Sequence, residues 1–197
     1  MVKKRARTAG EKTRQRIVRA ALETLKKEGF AGATSRTIAR AGGFNQALIF
    51  YHFDSLDGLL LAALDHTSAK RLERYREAVD NAKTAEELAE VAAAIYAEDR
   101  DRGHMTVVSQ MVAGSAAKPE LAREVVARME PWIELCEDAL RKGLAGTPAG
   151  EALPLRDLAY AVVTFYLGLN LLTHLDEDRE RTEALVARLQ SLAPLLS

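Results

Sequence analysis

Hydroxyl, guanidinium and amide side chains that can hydrogen-bond to nucleic acid are concentrated between Thr34 and Gln46. Gln46 can bond bidentately to the edge of adenine, and Arg36 can do the same to guanine. Thr34 and Ser35, with the backbone N–H groups of a helix start, can bind phosphate oxygens. These residue types therefore predict phosphate anchoring combined with the reading of base edges in a major groove.

Residues that serve catalysis or metal binding do not form a recognisable motif. There is no H-E-x-x-H, no E-x-x-H pair, no glycine-rich phosphate loop and no G-x-S-x-G. The single cysteine, Cys136, has no catalytic context. We therefore expect no enzyme, metal or cofactor. An all-helical enzyme is kept as an alternative that a co-purifying metal or cofactor would support. The four histidines are scattered over the chain: His52, His66, His104 and His174.

Two short helices joined by a tight turn would hold the nucleic-acid-binding side chains. Thr34 or Ser35 can cap the start of the first, because a short hydroxyl accepts from an orphaned backbone N–H. Gly43 can adopt the left-handed conformation that ends a helix. Asn45 can cap the second helix, which runs over residues 46–52. This arrangement is the helix-turn-helix pattern.

The stretch IARAGGFNQALIFYHFDSLDGLLLAAL resembles the DNA-binding domain of the TetR family of bacterial repressors. That family's pattern runs roughly I-A-x-x-A-G-V-S-x-x-x-L-Y-x-H-F-x-S-K-x-x-L, and it aligns here without a gap. The matching residues are Ile38, Ala39, Gly43, Phe44, Asn45, Ile49, His52, Phe53 and Ser55. The resemblance implies that DNA is bound by Thr34, Ser35, Arg36, Asn45, Gln46, Ala47, Leu48, Phe50, Tyr51 and His52.

Three residues depart from the family pattern and predict weaker phosphate anchoring. Phe50 stands where the family commonly has a tyrosine, whose hydroxyl holds a phosphate. Leu56 replaces a lysine at the start of the fourth helix, and Leu48 replaces a small or hydroxylated residue. Leu48 could contact the methyl group of a thymine. The basic N-terminal segment is expected to offset part of the loss.

Composition favours an all-α protein. Hydrophobic residues make up 48% of the 197 residues, with few prolines and few β-branched runs. We expect about nine helices: an N-terminal arm and helix-turn-helix domain over 1–53, then a larger helical ligand-binding and dimerisation domain over 54–197. The expected elements are a disordered arm at 2–7, a first helix from about Thr8, a fourth at 55–81, a fifth at 84–102, a short apolar helix, a seventh at 118–143, a loop at 146–150, and final helices at 154–175 and 178–192.

Charge is sorted along the chain although the net charge is zero. Residues 1–54 hold 12 Lys and Arg against 4 Asp and Glu, and residues 55–197 hold 16 against 24. A basic N-terminal quarter predicts a polyanionic partner at one end only. Chance sorting of surface charge is the alternative.

The apolar segment from Leu158 to Leu175 contains no charged residue and is near the ~18-residue lower limit for a membrane-spanning helix. Thr164, Asn170 and His174 interrupt it, so a helix covered by other protein explains it better. No apolar segment of a secretory signal follows the basic N-terminus. We expect a cytoplasmic protein that does not insert into membranes.

The resemblance also implies a homodimer. In TetR-like proteins the last two helices pack against their copies as a four-helix bundle, and Gly168 would permit close approach. A two-fold dimer presents two DNA-binding heads, so the expected operator is an inverted repeat in double-stranded DNA. A monomer is the alternative.

A cavity for a small apolar or amphipathic ligand is expected in the larger domain. A mostly apolar wall with a few polar groups suits such a site. The family mechanism would make the ligand an inducer that releases the repressor, although ordinary helix core, a DNA-binding dimer without an inducer, or an activator are alternatives. The candidate residues are Tyr96, Met105, Met111, Trp132, Cys136, Phe165, Tyr166 and Asn170.

Overall fold

The computed structural model describes the backbone of residues 2–175, 184–185 and 187–188 and, within residues 2–175, the side chains of 10–99 and 103–173. Every regular element in this part is helical, which confirms the predicted all-α class. The predicted last helix at 178–192 lies largely outside the described residues. The described helices are α1 (Val2–Gly32), α2 (Ser35–Gly42), α3 (Ala47–His52), α4 (Leu56–Asn81), α5 (Ala85–Arg102), α6 (His104–Ser115), α7 (Pro119–Ala127), α8 (Glu130–Gly143), α9 (Pro148–Ala152) and α10 (Leu155–Leu175).

Two expectations about helix boundaries were wrong. Residues 2–7, expected to be a disordered arm, are helical and continuous with α1. The helix expected over 118–143 is divided into α7 and α8, with a turn at residues 128–129. Pro131 explains the division: it lacks an N–H, so it could not continue the hydrogen bonding of α7, and it occupies the first turn of α8.

The expected loop at 146–150 also contains structure. Thr147 caps the short helix α9, its hydroxyl accepting from the backbone N–H of Gly150 at 3.1 Å. Pro148 follows at the first helical position, where a missing N–H costs nothing. The capping threonine and the proline were both visible in the sequence, but the helix that they start is only five residues long.

One compact unit consists of Met1–Ser68 and Thr106–Val126. Its core contains Ile17, Leu25, Ile38, Ile49 and Leu59, all with no solvent exposure. These residues come from α1, α2, α3 and α4, so the first four helices share one core. Because the core also extends into α6, the unit is larger than a helix-turn-helix alone.

Helix α6 is joined to the end of α1 within this unit. Gly29 leaves helical geometry with φ 69°, and the N–H of Phe30 donates to Oε1 of Gln110 at 2.9 Å. The Phe30 ring covers Gly114, where an added Cβ would lie 2.0 Å from the ring. Lys118 contributes an ion pair to Asp57 at 2.8 Å. A side chain at position 114 would displace Phe30, so this glycine is required by packing.

The other compact unit consists of Ala69–Met105 and Ala127–Ser197. Tyr75, Val79 and Leu135 form its buried cluster, with Trp132 and Ala139 partly buried against it. Lys142 donates to the carbonyl oxygens of Val79 and Asp80 at 2.9 and 2.6 Å. A lysine in this position satisfies carbonyls that the C-terminus of α4 leaves unpaired. The predicted functional boundary between residues 53 and 54 does not coincide with these units and stays a prediction.

Candidate nucleic-acid interface

Helix α2 begins with a capping box built from two threonines. The Thr34 hydroxyl accepts from the N–H of Thr37 at 3.2 Å, and the Thr37 hydroxyl accepts from the N–H of Thr34 at 2.9 Å. The expectation that Thr34 or Ser35 caps this helix is therefore confirmed for Thr34. Reciprocal capping fixes the N-terminus of α2 and leaves the Ser35 hydroxyl available for other contacts.

The turn after α2 is held from a distance by Arg16. Gly43 has φ 63°, the left-handed conformation expected for the residue that ends the helix. The Arg16 guanidinium donates to Gly42 O at 2.6 and 3.1 Å and to Gly43 O at 2.9 Å. It also lies over the ring of Phe44, 5.7 Å from the centroid. A planar fork of donors suits these two neighbouring carbonyls, so Arg16 fixes the angle at which α3 leaves the turn.

Sequence reasoning missed this role of Arg16. Its partner carbonyls are 26 and 27 residues away. No local motif relates an arginine on one helix to glycine carbonyls so far along the chain. This contact was accessible only from the tertiary structure.

Helix α3 is anchored by apolar residues and capped by Asn45. The Asn45 side-chain oxygen accepts from the N–H of Ala47 at 2.8 Å, which confirms its predicted capping role. Ile49 and Phe53 are 0% and 7% exposed, and Arg14 covers the Phe53 ring at 4.7 Å. Ile49 within α3 and Phe53 directly after it are both buried, which fixes one side of α3 to the core and presents its other side outward.

The outward side of α3 carries much of the predicted DNA contact set. Gln46 and Ala47 are exposed, as are Phe50 and Tyr51, whose exposed fractions are 52% and 81%. The amide Nε2 of Gln46 donates to the Ser35 hydroxyl at 2.8 Å, so α2 and α3 are joined at this surface. The structure therefore brings Ser35 and Gln46 together.

The remaining predicted contacts divide by exposure. Thr34, Arg36 and Asn45 are exposed, whereas Leu48 and His52 are only partly exposed. The side-chain oxygens of Thr34 and Asn45 are already used in capping. The assignment of these residues to DNA stays a prediction. The exposed residues of α2 and α3 nevertheless form one outward surface with donors and acceptors.

A polar cluster lies in the second unit near several of the predicted ligand-binding residues. Arg71 forms a buried ion pair with Asp99, and the Tyr166 hydroxyl donates to Asp99 at 2.7 Å. The Arg71 guanidinium also lies 5.1 Å from the ring centroid of Trp132. Burial lowers the pKa of Arg71, and burial is also the main cause of the raised pKa of Tyr166.

The predicted ligand residues do not all join this cluster. Tyr96 packs edge-on against Tyr166 at 6.5 Å, and the amide of Asn170 donates to the Tyr166 carbonyl at 2.8 Å. Met111 is fully buried in the first unit instead. Phe165 is 50% exposed. Met105 is buried in the second unit. Cys136 is partly exposed, and the burial of its thiol raises the pKa of that thiol to about 11. No three His, Cys, Asp or Glu side chains within the described residues are grouped to hold a metal.

Comparison with known proteins decides the family. Residues 17–63 match the family model described as bacterial regulatory proteins, tetR family. The N-terminal part of this chain is therefore a TetR-family DNA-binding region. The HTH-type transcriptional regulator UidR of Escherichia coli K12 is 24% identical over 163 residues, which cover 79% of this chain and 82% of UidR. The chain is a DNA-binding transcriptional regulator, as its relatives are, and not an enzyme.

Solved structures share the fold over nearly the whole chain. FadR of Bacillus subtilis, solved with stearoyl-CoA, has a TM-score of 0.71 at 18% identity and covers 91% of this chain and 96% of its own. The multidrug binding protein EbrR, solved with imidazole, has a TM-score of 0.60 at 28% identity and covers 89% and 93%. At this low sequence identity, the match to FadR shows that the two chains share a fold and nothing more.

Proposed function

We propose that the protein is a dimeric repressor that binds an inverted-repeat operator and is released by a small-molecule ligand. The observation that carries the proposal is the outward side of α3. Gln46 is exposed beside Ser35, while Ile49 and Phe53 anchor the opposite side in the core. Arg36 is exposed at the start of α2 and supplies a guanidinium suited to guanine. These contacts would fix both the position and the sequence of the bound DNA.

Selection of duplexes from a random pool at near-physiological salt tests the operator. We expect an inverted repeat, and we expect Gln46→Ala or Arg36→Ala to weaken binding by about 1–3 kcal/mol at single base pairs. Arg123→Ala, which removes an exposed arginine from α7, is the matched control and should bind normally. Recovery of only salt-sensitive binding without a sequence would contradict a sequence-specific regulator.

The exposed side of α10 supports the homodimer. Tyr160, Phe165, Leu171 and Leu172 are 62%, 50%, 46% and 65% exposed, and the space above Gly168 is open. Such a row of exposed apolar side chains is costly in water unless another surface covers it. A second copy packed along this row through the predicted last two helices would cover it. The two heads would then meet two half-sites.

Helix α10 also has the length and composition of a membrane span over Leu155–Thr173. Only 6% of that segment is buried within the chain. We propose that a partner copy, and not lipid, covers it, and that the regulator acts on DNA in the cytoplasm. The dimer therefore accounts for both the apolar composition and the exposure of this helix.

Substitution on α10 tests the dimer against a matched surface change. Leu172→Glu should shift the protein from dimer to monomer in light scattering and lower operator affinity, because a charge would be buried in the interface. Leu153→Glu changes another leucine that is 45% exposed but precedes α10. An unchanged dimer in Leu172→Glu, or equal dissociation of both variants, would exclude this surface as the interface.

The proposed ligand is small and apolar or amphipathic, and it binds in the second unit near Tyr96, Trp132 and Tyr166. The bound ligands of EbrR and FadR support a small-molecule role for this fold. A ligand releases DNA only if it prefers the conformation that does not bind DNA. The alternative is a DNA-binding dimer that no small molecule controls.

Fluorescence of Trp132 provides a direct test, because it is the single tryptophan of the chain. A small-molecule library should yield compounds that change this fluorescence and release the operator at matching concentrations. Tyr166→Phe should weaken that response, since it removes the hydroxyl that donates to Asp99. Compounds that change fluorescence while the operator stays bound would favour the alternative.

A further inference from the structure

The exposed side of α3 is apolar at its centre. Successive residues of an α-helix lie about 100° apart, so the exposed residues follow one another around the helix as Gln46, Phe50, Ala47 and Tyr51. Phe50 therefore lies between the amide of Gln46 and the methyl group of Ala47. Its ring is 52% exposed, although Ile49 beside it in sequence is fully buried.

An exposed phenylalanine in this position cannot contribute the usual polar contacts to DNA. It has no donor for a phosphate oxygen and no acceptor for a base amino group. Removal of its ring from water is favourable only against an apolar surface. The apolar group that base edges present in the major groove is the 5-methyl group of thymine. The chemistry of Phe50 therefore matches thymine.

The neighbouring Gln46 locates that thymine. Its Nε2 donates one hydrogen to Ser35 at 2.8 Å, which leaves one N–H and the carbonyl oxygen for the N7 and N6 positions of adenine. Phe50 lies one helical turn further on and about 40° around the helix. Its ring therefore faces the groove beside the base pair that Gln46 would read.

We propose that Phe50 is a specificity-determining residue that contacts the 5-methyl group of a thymine next to the adenine read by Gln46. This inference rests on the proposed sequence-specific binding. It assigns to Phe50 the methyl contact that the sequence suggested for Leu48. Leu48 lies about 160° from Phe50 around α3 and is partly buried.

A double-mutant cycle between protein and DNA tests the contact. Each thymine in one half-site of the selected operator is replaced in turn by deoxyuridine, which removes only the methyl group. At one of these positions, loss of the methyl group should lower the affinity of the wild-type protein about fourfold, which corresponds to the burial of one carbon group. Phe50→Ala should bind the thymine and deoxyuridine operators equally.

Two further variants keep the cycle decisive. Phe50→Tyr retains the ring and should retain the cost of removing the methyl group, even if Phe50→Ala folds poorly. Val126→Ala removes an apolar side chain that is 68% exposed on α7, and it should leave the cost unchanged. Thermal unfolding followed by circular dichroism establishes that each variant is folded.

The outcomes separate this inference from the proposed function. Failure to select any inverted repeat would count against sequence-specific binding itself. A selected operator in which no thymine responds to deoxyuridine would overturn only the role of Phe50. If the deoxyuridine operator lost equal affinity for the wild-type protein, Phe50→Ala and Phe50→Tyr, another side chain would contact the methyl group. That result would also overturn the role of Phe50.

Discussion

Arg16 stabilises the turn between α2 and α3 through hydrogen bonds to backbone carbonyl groups. Its three hydrogen bonds end on Gly42 and Gly43, and its guanidinium covers Phe44. These carbonyls are the ones that α2 leaves unpaired at its C-terminus, where a positive charge is also favoured by the helix dipole. One side chain thus combines capping, charge and orientation of the next helix.

Arg16→Ala should lower the free energy of unfolding by about 1.5–3 kcal/mol, the range for hydrogen bonds to a charged group. Operator affinity should fall as well, because the turn that orients α3 loses its support. Arg16→Lys should retain only part of the stability and of the operator affinity, since an ammonium lacks the planar arrangement of donors in a guanidinium. Arg19→Ala, at an exposed position on the same helix, is the control for denaturant titrations. Equal effects in both alanine variants would contradict this role.

The ion pair of Arg71 with Asp99 is a second site where one residue decides stability. Both side chains are almost completely buried, at 8% and 2% exposure. Asp99→Ala should cost about 3–5 kcal/mol, because it removes the carboxylate that is hydrogen-bonded to a buried guanidinium. Replacement of the pair by Arg71→Met with Asp99→Leu should cost much less. Urea titration measures the free energy of unfolding of both variants. If the double variant were as unstable as Asp99→Ala, the buried Arg71 guanidinium left without this carboxylate would not be the cause of the destabilisation.

Cys136 provides a pH-dependent prediction. Burial raises the pKa of its thiol to about 11, so the neutral form is favoured in the folded state. Its contribution to stability is complete below the unfolded pKa of about 8.5 and is lost as the pH rises towards 11. Reaction with a disulfide reagent should be slow at pH 8 and accelerate towards pH 11. Rapid modification of the folded protein at pH 8 would contradict it.

At the scale of elements, α6 belongs to the same compact unit as α1, α2 and α3. The Gln110 side chain accepts from the Phe30 N–H, and the Phe30 ring packs on Gly114. The end of α1 therefore depends on a helix that begins more than 70 residues later in the chain. This junction provides a physical connection between α6 and the unit that contains the predicted DNA contacts of α2 and α3.

Gln110→Ala should increase amide exchange at Phe30 by about fivefold to 150-fold, because an unpaired buried N–H costs about 1–3 kcal/mol. The effect should be strongest at the end of α1 and weak in α8. Gln15→Ala, at an exposed position in α1, is the matched control. Unchanged exchange at Phe30, measured by NMR, would show that the Gln110 hydrogen bond does not hold this junction.

Element boundaries could be predicted where the signals were local. The Thr34 cap, the Gly43 turn and the Asn45 cap follow from short-range backbone chemistry and were confirmed. The division of α7 from α8 was missed although Pro131 was visible, because proline in the first turn of a helix and proline within a helix look alike without the flanking conformation. Helical periodicity continued across the break.

At the scale of the whole molecule, the sorted charge predicts salt-dependent DNA binding. Residues 2–7 contain Lys3, Lys4, Arg5 and Arg7, and the structure makes their backbone an extension of α1. Each phosphate contact contributes a slope of about −0.9 to log K against log salt. The extension can therefore compensate for the missing phosphate contacts at Phe50 and Leu56.

Deletion of residues 2–7 should flatten that slope and weaken binding most at low salt. Filter binding or fluorescence anisotropy across a salt series measures both quantities. Replacement of the same four cations by glutamine is the matched control for loss of chain length, and it should flatten the slope equally. An unchanged slope after deletion would exclude the compensation by these residues.

The sequence by itself determined the all-α class, the helix-turn-helix and the family, because caps, turn glycines and apolar spacing act over a few residues. It also predicted that Leu158–Leu175 is covered by other protein, since this segment contains no charged residue. Only the tertiary structure decided that Arg16 holds the turn, that Phe50 is exposed and that α6 joins α1. Those contacts join residues far apart in the chain, and their partners are chosen by packing geometry, which no local pattern records.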